Sequence, residues 1–91
     1  MQVRLAARAI ADLEDIQAYI ARDDPTAARR MAVAIVAAAE RLGANPRVGR
    51  LGVFPGTFEL VVRPYVIVYE IQRADVVVLR IWHGRQQRPG T

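Results

Sequence analysis

Between Thr57 and His83 the chain carries three strand-like apolar runs joined by very short connections, and connections that short force antiparallel neighbours. In the first run Phe58, Leu60 and Val62 alternate with Glu59, Val61 and Arg63, the pattern of a half-buried strand. Arg63-Pro64 marks a tight reversal. Tyr65 to Ile71 is apolar on both faces apart from Glu70, which predicts a central strand. Gln72 to Asp75 makes the next turn, and Val76 to Trp82 is a second two-sided run. Simple alternation would put Trp82 on a face with Val76, Val78 and Arg80, and His83 on the other with Val77, Leu79 and Ile81.

The preceding half has a different period. Met1 to Leu5 alternates Met, Val and Leu with Gln and Arg, a short strand. From about Ala7, Ile10, Leu13, Ile16, Tyr19 and Ile20 recur at helical spacing, with Asp12, Glu14 and Asp15 on the opposite, solvated side. Asp24 is placed to cap a second helix whose first position is Pro25, where the missing N–H has no intrahelical partner to lose. This helix is expected to reach about Leu42, with Gly43 as a natural C′ residue. Its buried stripe would be Ala28, Met31, Ile35, Ala39 and Leu42, with Ala32 and Val36 beside it. The very short linker predicts an antiparallel helical hairpin, and the alanines let its backbones approach. Asn45 to Gly56, with two Pro and three Gly, reads as an irregular loop. The expected fold is α+β over residues 1–91 as one domain, in the order β-α-α-β-β-β, with the hairpin on one face of a small antiparallel sheet. The other sheet face and the tail after the last strand are left for a partner.

Composition narrows the chemistry. A chain of 91 residues buries one small core and has little room for a lobed cleft. No apolar run approaches the ~20 residues needed to span a bilayer, and acids interrupt the N-terminus where a signal peptide is apolar. A cytoplasmic location with no membrane partner is therefore expected. Without cysteine there is no disulfide, and one His with no Cys cannot form a structural zinc site. There is no serine nucleophile, and Gly49, Gly52 and Gly56 lack the setting of a phosphate-binding loop. No cofactor is implied. All thirteen basic residues are arginine, so a bound anion would meet planar, permanently charged forks. Residues 1–40 carry five Arg against six acids, whereas residues 41–91 carry eight against three. The basic second half fits an acidic partner or a solvated basic surface.

The distinctive polar set is His83 with Arg63, Arg80, Arg85 and Arg88, beside the single tryptophan, Trp82. His83, Arg63 and Arg85 could cleave a phosphodiester without metal, His moving the proton and Arg stabilising the charge on the transition state. The same residues could bind an acidic segment or a phosphate backbone, or end the sheet structurally. Trp82 reads as core or as a docking anchor. The residue types leave these uses open.

Six pieces in order resemble the RelE/ParE toxins of bacterial type II toxin–antitoxin modules. They are A-x-x-DL-x-x-I-x-x-YI at Ala9–Ile20, Asp24-Pro25, NPRVGR at Asn45–Arg50, G-x-x-EL-x-V at Gly56–Val62, YVIVYEI at Tyr65–Ile71 and HGRQQRP at His83–Pro89. The resemblance implies one of two targets. RelE-like members cut mRNA on the ribosome with an arginine that would fall at Val66 here, and this chain also lacks their lysines and C-terminal tyrosine. ParE-like members, which this chain is more similar to, inhibit DNA gyrase by binding it. For that reading Arg63, Arg80, Trp82, His83, Arg85 and Arg88 are the expected contact residues. The resemblance also implies a hetero-oligomer with a cognate antitoxin. The antitoxin's acidic, amphipathic C-terminal segment wraps the toxin, and operator DNA is contacted only indirectly, through the antitoxin.

Overall fold

The structure is a computed structural model that describes residues 1–85. Its elements run β1 (Gln2–Leu5), α1 (Ala7–Ala21), α2 (Pro25–Arg41), β2 (Arg50–Leu51), β3 (Thr57–Val62), β4 (Tyr65–Gln72) and β5 (Asp75–His83). The five strands form one sheet in the order β1-β5-β4-β3-β2, with the two helices packed against it. The expected α+β architecture is present, with two differences. β1 lies parallel to β5, pairing Gln2 with Asp75 through Leu5 with Val78, so the sheet is mostly rather than wholly antiparallel. Within the expected loop, Arg50–Leu51 forms a short edge strand opposite Phe58 and Glu59. Two residues between glycines are too few to give a periodic signal.

α2 begins as its sequence dictates: the Asp24 carboxylate accepts the Ala27 N–H at 3.0 Å and Pro25 opens the helix. Gly43 follows the C-cap residue Leu42 and so stands at the expected C′ position, though without a left-handed backbone; among the described residues, positive φ occurs only at Gly56 and Arg73. Glycine is required at 43 for space, since a Cβ there would lie 2.6 Å from the Met1 carbonyl. The Met1 ammonium donates to the Gly43 carbonyl at 2.9 Å, tying the chain start to the end of α2.

The core joins Ala9 of α1, Ile35, Ala38, Ala39 and Leu42 of the α2 segment, and Tyr65, Ile67, Tyr69, Val76, Val78 and Ile81 of the sheet. Leu13, Ile16, Ile20 and Met31 pack around it, but Ile10, Tyr19 and Val36 of the anticipated stripes are exposed. A short amphipathic helix on a twisted sheet buries a stripe narrower than its apolar residues allow.

A β-bulge corrects the expected facing of β5. Val68 pairs with Arg80 and Tyr69 with Val78, which leaves Leu79 as the extra residue. Alternation therefore inverts at that point. Val76 and Val78 share the helix-covered face with Ile81 and His83, while Val77 shares the other with Arg80 and Trp82. That second face is also well filled. Thr57, Glu59, Val66, Val68, Val77 and Trp82 on it are all buried.

Candidate partner-binding site

The sheet ladder brings three of the six expected contact residues to one end of the molecule. Tyr65 lies opposite His83 across β4 and β5, and the Gly84 N–H donates to the Pro64 carbonyl at 2.7 Å. The β3–β4 turn with Arg63 is thereby tied to the segment that carries Arg85. Arg63 and Arg85 are both exposed. The His83 ring meets Tyr65 edge-on with centroids 5.4 Å apart, and its Nδ1 accepts the Arg85 N–H at 3.0 Å. Asp15, Ile16 and Tyr19 of α1 complete a shallow cavity of about 290 Å³ with Tyr65 and His83. The Tyr65 phenol has its pKa raised, first by burial and then by the neighbouring Tyr19 hydroxyl.

Arg80 and Trp82 form a separate group. The Arg80 guanidinium lies 5.2 Å from the Trp82 ring centre. Its Nε donates to one oxygen of Asp12 at 2.8 Å and its Nη2 to the other at 3.2 Å. Asp12 also accepts the Ile81 N–H at 2.9 Å, where β5 has run past the end of β1. This carboxylate holds Arg80 in its charged form and raises its pKa, against the opposing effect of burial. Asp12 thus departs from the solvated role its helical position indicated: its side chain is only 14% exposed. Trp82, 6% exposed, packs across from Val66. Arg88 lies outside the described residues.

Two further features are not visible in the sequence pattern. Glu59 is 4% exposed and accepts from both Nε and Nη2 of Arg50, on the sheet face opposite the helices. The signal was its alternation with Phe58 and Leu60, which identified a face but not its coverage. The Tyr69 hydroxyl donates to the Pro46 carbonyl at 2.8 Å and accepts the Gly49 N–H at 3.0 Å, which pins the NPRVGR segment to the sheet. A Cβ on Gly49 would stand 2.6 Å from both this hydroxyl and the Glu59 carbonyl, so only glycine fits. Arg47, from the same segment, rests over the Phe58 ring at 5.9 Å. Among the described residues no three His, Cys, Asp or Glu side chains are grouped to hold a metal ion. No helix of the described chain is long and apolar enough to cross a membrane.

Residues 3–88 match the profile of the ParE toxin of type II toxin–antitoxin system, parDE. The chain is 42% identical over 90 residues to putative toxin Y4kP of Sinorhizobium fredii, covering 97% of this chain and 93% of that protein. It is also 42% identical over 77 residues to toxin RelE2 of Caulobacter vibrioides, covering 85% and 88%. Among solved structures, the chromosomal ParDE system from P. aeruginosa superposes with a TM-score of 0.80 at 26% identity, over 91% of this chain and 95% of that one. The toxin–antitoxin complex RelBE2 from Mycobacterium tuberculosis gives 0.69 at 30% identity, over 90% and 88%. With fold, motif order and relatives in agreement, the chain belongs to the RelE/ParE family of toxins of type II toxin–antitoxin systems.

Proposed function

We propose that this toxin acts in the ParE manner, inhibiting DNA gyrase through protein contacts, and that a cognate antitoxin neutralises it by binding. The observation that carries this reading is Val66. The resemblance puts a catalytic arginine of the nuclease branch at this position, and here an apolar side chain, 5% exposed, pairs across the sheet with Trp82. Such a side chain can neither donate a hydrogen bond to a phosphate oxygen nor offset developing charge. A toxin that performs no chemistry needs only a surface. The exposed guanidinium-bearing end formed by Arg63 and Arg85 provides a basic one, suited to an acidic enzyme–DNA assembly. The ParE profile and the ParDE structural relative support the same branch.

One observation favours a second reading as a ribosome-dependent endoribonuclease. His83 stands in a cavity with Tyr65, at the same sheet end as Arg63 and Arg85. Paired assays on the purified toxin distinguish the two. Gyrase supercoiling and accumulation of cleaved DNA are measured alongside mRNA integrity in a translating extract. The expected result is gyrase inhibition with intact mRNA. Codon-positioned cuts with unaffected gyrase would overturn the proposal.

A further inference from the structure

We propose that the cavity between α1 and the end of β5 is a cation subsite that takes the guanidinium of an arginine presented by a partner protein. It is lined by three aromatic residues, Tyr19, Tyr65 and His83, together with Ile16 and Asp15. Aromatic faces attract cations through their ring quadrupoles, and several rings around one space form the usual cage for a cationic group. Asp15 supplies the carboxylate.

The two aspartates on this part of α1 differ in a way that points outward. Asp12 is satisfied by Arg80 and the Ile81 N–H. Asp15, three residues on, lines the cavity and makes no hydrogen bond or ion pair among the described residues. Tyr19 is 68% exposed, a large ring held at the rim instead of in the core.

Charge and size select the occupant. A phosphate or carboxylate entering here would face the Asp15 carboxylate at close range. A purely apolar anchor would cover that carboxylate and leave it without a partner. About 290 Å³ lies at the lower end of ligand cavities and suits one side chain rather than a nucleotide. Arginine fits better than lysine, because a planar guanidinium can stack on a phenol while its fork still reaches a carboxylate. An ammonium is more strongly hydrated and gives up more on entry. A second copy of this chain is a poor source of the arginine, since each copy carries a net charge of +4 and repels its like. A preference for a cation here also weighs against the nuclease reading, which would bring a phosphate to His83 in the same cavity.

The test is a titration of the full chain, followed by backbone amide NMR, with N-acetyl-arginine methylamide. The lysine and citrulline analogues and inorganic phosphate are run in parallel. Shifts should centre on Asp15, Tyr19 and Tyr65, largest with the arginine probe, smaller with lysine and absent with neutral citrulline. Asp15→Asn and Tyr19→Ala should each weaken the arginine probe by about three- to thirtyfold, the range of a single cation–aromatic or charge contact. Both positions are exposed, so unchanged melting curves are expected to show that these variants fold. Equal shifts with citrulline, preference for phosphate, or no shift at the cavity would overturn the proposal. Concentration-dependent shifts at the same residues without any probe would assign the cavity to a second copy, and overturn it likewise.

Discussion

Tyr69 shows how much one hydroxyl can organise. It is fully buried, stacks on Phe58 with centroids 5.5 Å apart, and satisfies one carbonyl and one N–H of the NPRVGR segment. Tyr69→Phe keeps the ring but leaves both backbone groups unpaired, a loss of about 1–3 kcal/mol. Faster amide exchange at Gly49 should accompany it. The same phenol sets an alkaline limit. Burial raises its pKa, and the Gly49 N–H only partly offsets this. The folded value lies above the unfolded value of about 10, so the stabilisation is complete below that pH. It is lost as pH rises through the folded value. Tyr65 shifts in the same direction. The chain has no lysine and no cysteine, and arginine stays charged to above about pH 12. Denaturant midpoints should therefore fall from about pH 10 upward because of tyrosine alone. Tyr69→Phe should start lower and fall less steeply. Asp12→Ala removes three acceptor contacts and strands a largely covered arginine, costing about 2 kcal/mol. A mutation of the exposed Glu14 should leave the melting temperature nearly unchanged.

At the level of elements, the sequence was most legible where one period ran uninterrupted. The cap at Asp24-Pro25, the two helices and the three consecutive strands follow from spacing and turn residues alone. Face assignments failed where periodicity broke. Leu79 inserts one residue into β5 and moves Trp82 away from Val76 and Val78, and no local residue type announces that bulge. Asp12 looked solvent-facing because helical spacing says nothing about a neighbouring strand edge. The cavity of Asp15, Tyr19, Tyr65 and His83 was illegible for the same reason, since its residues come from three elements. The β4–β5 hairpin carries a local conflict as well. Arg73 sits at φ 49°, in the left-handed region that costs a side-chain-bearing residue about 1–2 kcal/mol. Glycine relieves that strain at some entropic cost, so Arg73→Gly should stabilise the protein by up to about 1 kcal/mol. Chemical denaturation of the two proteins under identical conditions checks the sign.

Across the whole molecule, charge and chain closure act at different places. If the end bearing Arg63 and Arg85 meets the target, Arg63→Ala with Arg85→Ala should reduce toxicity in cells more than Arg22→Ala with Arg29→Ala. Equal losses would remove that end from the mechanism. Chain closure rests on β1. Its parallel pairing with β5 joins segments 73 positions apart, from Gln2 with Asp75 to Leu5 with Val78, and the Arg4–Asp75 ion pair lies along the same edge. That exposed ion pair contributes no more than about 1 kcal/mol. More stabilisation comes from the packing of Val3 and Leu5 on the core, up to about 1.5–3 kcal/mol for each fully buried side chain, and from the cover given to Val76 and Val78. Deleting residues 1–5 removes these together and turns β5, apolar on both faces, into an open edge prone to pair with other chains. Against a total stability of about 5–15 kcal/mol, the deletion should leave a protein that unfolds at low denaturant and associates in size-exclusion chromatography. A short extension before Met1 should do neither, because it disturbs only the exposed ammonium bond to Gly43. If the truncated chain stayed monomeric with an unchanged unfolding midpoint, β1 would be an accessory to the fold and β5 a stable edge in its own right.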